Sequence, residues 1–312
     1  LRRFVAAYGV VLVLLALIVG FSIARPDTFP TVDNLTGILA LSAPSLILAA
    51  GLTIVLVMGD FDLSFGAMIG LADGVIMELL INQGVGWVAS VLIVLALSAV
   101  VGLANGVMIA RLGGSSFIIT LAMGTILVGI EFAVTDQEQI FGELPSALVT
   151  VGQDASILGL NNQVWVAALV CLFAWFMLEK TEPGRFMRAI GGNPEAARLA
   201  GIPILTLRIA GFVLVAICAA IVGILLVSLT GQYTPNIGTS YLLPTYAGVF
   251  LGAAAFRPGE FNVAGTILGV LLLGVIQSGL TLLEFETFLI NLVQGAILIA
   301  AVLLSRLGAE RA

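Results

Sequence analysis

The chain has 312 residues, of which 60% are apolar and 10% charged, where a soluble domain averages roughly 45–50% apolar and about 25% charged. With a mean hydropathy of +1.19, it has too few polar side chains to cover a water-soluble globule. That excludes soluble enzymes, nucleic-acid binders and secreted disulfide scaffolds, and the net charge of −6 matters less here than where each charge falls.

Residue types remove further options. There is no histidine, so imidazole metal sites, general bases and proton relays are absent. Cys171 and Cys218 each sit in an apolar stretch and read as small buried residues rather than a disulfide. The lone lysine, Lys180, follows Glu179, so no GxxxxGK[ST] phosphate loop exists. The chain carries no nucleotide site of that kind.

Apolar windows run at approximately 4–23, 34–59, 63–81, 87–110, 116–134, 164–178, 209–229, 241–256, 263–283 and 287–305. A span needs about 20 apolar residues, so the pattern predicts an all-α polytopic membrane protein of about ten helices. The first window follows Arg2 and Arg3 like a signal peptide, but its apolar run exceeds the usual h-region of about 7–15 residues. It is expected to be a retained helix. With both termini inside, Arg2, Arg3, Arg111, Lys180, Arg185, Arg188, Arg198, Arg208, Arg257, Arg306 and Arg311 fall on the cytoplasmic side and only Arg25 falls outside. Basic residues favour cytoplasmic connections, and the reverse orientation would break that rule at all eleven.

Between the second and third windows lies GDFDLSFG, Gly59 to Gly66, followed by Asp73 in the third. A charge at bilayer depth costs about 2.5–3.5 kcal/mol on insertion scales, so each should face protein or water. Asp62 and Asp73 would lie within about 20° of one another if one helix ran through both. One reading has Asp60, Asp62, Ser64, Asp73 and Asn105 offering hydrogen bonds along the path of a hydroxyl-rich solute. The other has Asp62 or Ser64 capping the third helix, with Asp73 paired to a neighbouring span. Phe117 fits either a pathway or packing, as does Asn291. Glu131, near the outer end of its window, is expected at the interface.

Glycines recur every four residues at Gly66, Gly70 and Gly74, at Gly102 and Gly106, and at Gly265 and Gly269. Small residues so spaced let helix backbones approach closely. The outer connection from about 135 to 163 carries Asp136, Glu138, Glu143 and Asp154 and no base, which suits a solvated loop or a docking surface. No internal repeat or low-complexity segment is evident, and 1–312 reads as a single transmembrane domain.

The longest basic cytoplasmic connection runs from about 179 to 208 and contains GRFMRAIGGNPEAARLAGI, Gly184 to Ile202. Its second half has the marks of a short capped helix. Asn193 suits the N-cap, Pro194 the first helical position and Glu195 the positive helix start. Gly201 supplies a left-handed stop with Pro203 after it. About seven residues at 1.5 Å each give a rod of roughly 10 Å, with Ala196, Ala197 and Ala200 expected on a surface able to enter a groove.

The run Glu195-Ala196-Ala197, three residues including Arg198, then Gly201 resembles the EAA motif of ATP-binding-cassette importer permeases, and the longer string resembles the branch that imports ribose and related monosaccharides. GDFDLSFG resembles that branch's GG-x-DLSxG signature, with Asp60 in place of a glycine. Ala104-Asn105-Gly106 and SFIITLAMG, Ser116 to Gly124, also fit. The stretch Tyr246 to Leu280 resembles the C-terminal region, with LGAAAF and RPGEF as departures. The resemblance implies that Asn193, Pro194, Glu195, Ala196, Ala197, Arg198 and Gly201 form a coupling helix seated in a cleft of a separate cytoplasmic ATPase. That subunit would hold ATP and Mg, with no cofactor on this chain. It further implies an external solute-binding protein, a second permease subunit and a place in the bacterial cytoplasmic membrane. A proton- or sodium-coupled secondary transporter using the intramembrane carboxylates is the alternative. It gives the capped cytoplasmic helix no purpose, and no inverted repeat supports it.

Overall fold

The structure, a computed structural model, describes residues 2–155, 158–257 and 259–309, with side chains at 9–155, 158–257, 259–297 and 299. Arg311 and the Pro258 of RPGEF lie outside the described residues. In chain order the helices are α1 (Arg2–Ala24), α2 (Val32–Val57), α3 (Phe65–Met77, continued by a π-helical turn Glu78–Asn82), α4 (Trp87–Ala110), α5 (Ser116–Thr135), α6 (Ser146–Gln153), α7 (Asn162–Lys180), α8 (Glu182–Gly192), α9 (Pro194–Leu199), α10 (Ile204–Thr230), α11 (Leu242–Ala253), α12 (Val263–Leu282) and α13 (Thr287–Ala309). A 3₁₀ turn, Ile237–Tyr241, precedes α11. Two two-residue strands, β1 (Ile140–Phe141) and β2 (Gln232–Tyr233), pair antiparallel with Ile140 opposite Tyr233.

Every apolar window carries a helix, and the protein is an all-α polytopic membrane protein. Among the described residues seven helices are long and apolar enough to cross a membrane: α2, α3 with its π-helical turn, α4, α5, α7, α10 and α12. Of the other three expected spans, α1 and α13 are apolar over the residues with described side chains, Gly9–Ala24 and Thr287–Ile297, and α11 has 12 residues. Both cysteines are free and buried, as expected.

Two compact units are woven from discontinuous segments. The first comprises 1–53, 167–175 and 243–312. In it Phe29, Ile38 and Val275 form a buried cluster with Phe21 and Leu282 packed against it. Here α11 and α12 meet through glycines. A Cβ on Gly269 would run into the Gly248 carbonyl, and one on Gly265 into the Gly252 carbonyl. The Thr53 and Thr266 hydroxyls lie 2.8 Å apart, a buried link between α2 and α12.

The second unit comprises 54–166 and 176–242, and its centre is α3, where every residue but Val75 is buried. Close backbone approach again explains the glycines. Gly102 and Gly106 of α4 face the backbone of Val213 and Ile209 on α10, where an added Cβ would come within 2.6 and 2.7 Å of their Cα atoms. Gly66, Gly70 and Gly74 turn one face of α3 towards Leu242, Glu131 and Thr135 respectively. The acidic outer connection is not bare loop: α6 packs on the end of α10, where Gln153 Nε2 donates to the Ser228 carbonyl at 3.2 Å.

Candidate functional site

The site lies within the second unit, where the end of α8 meets the end of α2 and the connection that follows it, with α9 next in the chain. Thr181 opens α8, its hydroxyl accepting from the Gly184 N–H at 3.4 Å. Gly184 is required there, since a side chain would strike the Met177 and Leu178 carbonyls. Met187 and Ile190 are buried on the inward face, and the backbone at Gly191 lies so close to the Val57 carbonyl that a Cβ has no room. The end of α8 is thus pressed against the end of α2. The sequence reading expected a helix only in the second half of this segment, so α8 is an addition to it.

The short helix α9 is capped at both ends by the expected residues. Asn193 is extended, and its Oδ1 accepts from the Ala196 N–H at 3.0 Å, with Pro194 next and Glu195 in the first turn. At the other end Gly201 has φ +78°. The Ile202 N–H reaches the Ala197 carbonyl at 3.1 Å and the Gly201 N–H reaches that of Arg198 at 3.0 Å, which together make a Schellman stop. The helix is six residues, one fewer than expected. Its faces also differ from expectation. Ala197 is buried at 3% exposure while Leu199 stands 85% exposed. The outward surface is therefore Glu195, Ala196, Arg198, Leu199 and Ala200. Sequence reasoning missed Leu199 because the EAA pattern draws attention to small residues, and only the helix phase reveals which side faces out.

The connection 58–64 is tied to three helices, α10, α5 and α4. Arg208, near the start of α10, places Nε 2.9 Å from Asp60 Oδ2. Neither atom makes an aligned hydrogen bond, so this is a charge contact rather than a directed N–H···O bond. Burial pushes the Asp60 carboxyl above its ordinary value, opposed by the Arg208 charge and the Ser116 hydroxyl. The ion pair is therefore held at a desolvation cost. From α5, Ser116 Oγ accepts from the Phe61 N–H at 3.1 Å and Thr120 Oγ1 from the Leu63 N–H at 2.9 Å. From α4, Asn105 Nδ2 donates to Ser64 Oγ at 2.9 Å, and that hydroxyl donates in turn to Asp62 Oδ1 at 2.6 Å.

Asp62 also accepts from the Ser64 N–H at 2.7 Å, satisfying a backbone donor at the start of α3. The helix begins at Phe65, so Asp62 and Asp73 do not share a helix face as the continuous-helix geometry would have had it. Asp73 stands apart on α3, in electrostatic range of Glu131 and accepting from the Thr234 backbone. Glu131 is fully buried rather than interfacial; its Oε1 accepts from the Tyr233 hydroxyl at 2.9 Å and the Asn236 N–H at 2.8 Å. Phe117 faces outward, half exposed. The six residues singled out for a pathway are thus in three places. Asp60, Asp62, Ser64 and Asn105 are in the tied connection, Asp73 is beside Glu131, and Phe117 is on an outer helix face. Among the described residues no cluster of three or more metal-ligating side chains occurs.

Residues 34–302 match the family described as branched-chain amino acid transport system / permease component. The chain belongs to this permease family. Relatives include the ribose import permease protein RbsC of Escherichia coli, 33% identical over 293 residues, with 93% of this chain and 90% of the relative covered. The L-arabinose ABC transporter permease protein AraH of Azospirillum brasilense is 32% identical over 301 residues, covering 95% and 86%. The D-allose transport system permease protein AlsC of Escherichia coli is 27% identical over 300 residues, covering 96% and 91%. No solved structure matches. The family membership makes this chain a transport permease.

Proposed function

We propose that the chain is the membrane-spanning subunit of an ATP-driven importer in the bacterial cytoplasmic membrane and that it carries a monosaccharide. The sugar relatives favour that solute over the amino acids in the family's description. A separate cytoplasmic ATPase binds ATP and Mg, an external solute-binding protein delivers the sugar, and a second permease subunit completes the assembly. The orientation places α8 and α9 inside, with the basic residues around them.

The observation that carries this reading is α9, a rod capped at both ends and presenting Leu199 outward. A solvated surface loop has no use for two caps and an exposed leucine, whereas a groove on another protein does. Movement of α9 passes to the spans through α8, which is pressed on the end of α2, and through the connection 58–64. In this role Asp60, Asp62, Ser64 and Asn105 hold that connection rigid, so that it moves as one piece.

Reconstitution of the chain with its ATPase and binding protein tests this. Sugar uptake should require ATP hydrolysis, and an impermeant thiol reagent should reach a cysteine at Gln139 from outside and one at Arg188 from inside. Uptake that follows a proton or sodium gradient without ATP would replace the importer with the ion-coupled alternative.

A further inference from the structure

The first unit contains a cleft of about 390 Å³, within the ~300–1,000 Å³ of small-molecule sites. Two helix faces form it. On α2 the lining falls at Asn34, Ile38, Ser42 and Ser45, and on α12 at Val270, Leu273, Gln277 and Ser278. The α2 set repeats at three- and four-residue steps, as do Val270, Leu273 and Gln277 with Ser278 beside them, so each set lies on a single helix face. The two faces meet where Ser278 Oγ donates to Asn34 Oδ1 at 2.7 Å and where Ser42 packs on Gly274 without room for a Cβ. Gln294 of α13 also lines the cleft.

Its polarity and depth are the informative features. Ser45 is thirteen residues beyond Val32, the start of α2, about 20 Å along the helix and past the middle of a roughly 30 Å hydrocarbon core. Were lipid tails to fill the cleft, the amides of Gln277 and Gln294 and the hydroxyl of Ser45 would face hydrocarbon without partners, which desolvation makes unfavourable. The cleft must hold water or a polar solute. Among the described residues its one charged lining residue is Asp33, in the first turn of α2, where it offsets the positive helix start. No lysine or arginine lines it among the described residues, so none of them would pair a carboxylate or phosphate.

We propose that this cleft binds a neutral, polyhydroxylated single-ring solute. Its amides and hydroxyls both donate and accept, as a ring of hydroxyls requires, while Ile38, Val270 and Leu273 offer apolar surface to the C–H face. An amino-acid zwitterion finds no cation there for its carboxylate. The inference rests on the importer reading and deepens it by naming residues for the solute, all different from those the sequence suggested.

The test is cysteine protection in the reconstituted complex. Ser45→Cys and Gln277→Cys are made singly, with buried Cys171 and Cys218 giving little background and Gln139→Cys on the exposed outer connection as control. Both cleft positions should react with a small methanethiosulfonate, and saturating D-ribose, L-arabinose or D-allose should slow the reaction several-fold while L-leucine and the control position show no change. Protection without uptake would still support the cleft while counting against transport. The inference is overturned if neither position reacts, if leucine protects and no sugar does, or if a sugar that the complex imports leaves both rates unchanged.

Discussion

Arg208 and Asp60 stand 2.9 Å apart, joining the chain where it re-enters the membrane after α9 to the connection that starts α3. The Asp60 side chain is 7% exposed and that of Arg208 23%. Removing the cation strands a desolvated carboxylate, which in fully buried pairs costs about 3–5 kcal/mol. With Arg208 partly solvated, Arg208→Met should cost about 2 kcal/mol and depress uptake. The double variant Arg208→Met with Asp60→Asn should recover most of the loss, because no charge is left unpaired. Thermal midpoints of the four proteins, read as a double-mutant cycle, check this; additive losses would mean that the two side chains do not interact.

The outer carboxylates make a different demand. Asp73 Oδ1 and Glu131 Oε2 are buried without hydrogen-bond partners, while Glu131 Oε1 holds both Tyr233 and Asn236. Asp73→Asn relieves the like-charge repulsion and should raise the thermal midpoint with uptake retained. Glu131→Leu leaves the Asn236 N–H unsatisfied, about 1–3 kcal/mol, while the Tyr233 hydroxyl keeps only Thr135 at 3.1 Å, and should lower it. Loss of all uptake in an assembled, ATP-hydrolysing Asp73→Asn complex would instead make Asp73 a carrier of coupling charge.

The helices were legible because apolar runs long enough to span are hard to mistake, and the two caps of α9 because Asn193 and Gly201 act on their immediate neighbours. Long-range contacts were not. Glu131 is drawn inward by partners 102 and 105 residues away, and nothing near it in sequence announces them. The α8 helix contains three glycines among eleven residues, a composition that argues against helix until its packing on α2 is known. The cleft required the pairing of α2 with α12, since either face alone looks like an ordinary apolar helix with a few small polar residues.

Glycine spacing foretold close packing but not which glycines are indispensable. Gly269 lies against the Gly248 carbonyl, whereas Gly129 of α5 has open space where a Cβ would go. Gly269→Ala should therefore destabilise by about 1–3 kcal/mol through overpacking. Gly129→Ala should be neutral or gain up to about 1 kcal/mol of helix propensity. Comparable midpoints for the two variants in detergent would contradict the α11–α12 contact.

Leu199 and Gly201 separate docking from folding. Gly201→Val forces a β-branched residue to φ +78°, at a cost above about 1 kcal/mol, and redirects the chain leaving α9. Glu195→Arg breaks the pair with Arg198, but both side chains are more than two-thirds exposed, so the permease itself should lose little. Leu199→Asp is the sharper probe. At 85% exposure, the new carboxylate is fully solvated in the free permease, so insertion and thermal stability should match the parent. In a groove on the ATPase the same charge is stripped of water without a partner. All three variants should insert normally. Leu199→Asp should lose ATPase capture in pull-down, Gly201→Val and Glu195→Arg should lose capture or the coupling of hydrolysis to uptake, and the external binding protein should still dock on each. Parental capture, hydrolysis and uptake in Leu199→Asp would show that the exposed leucine meets no groove, and the coupling role of α9 would lose its main support.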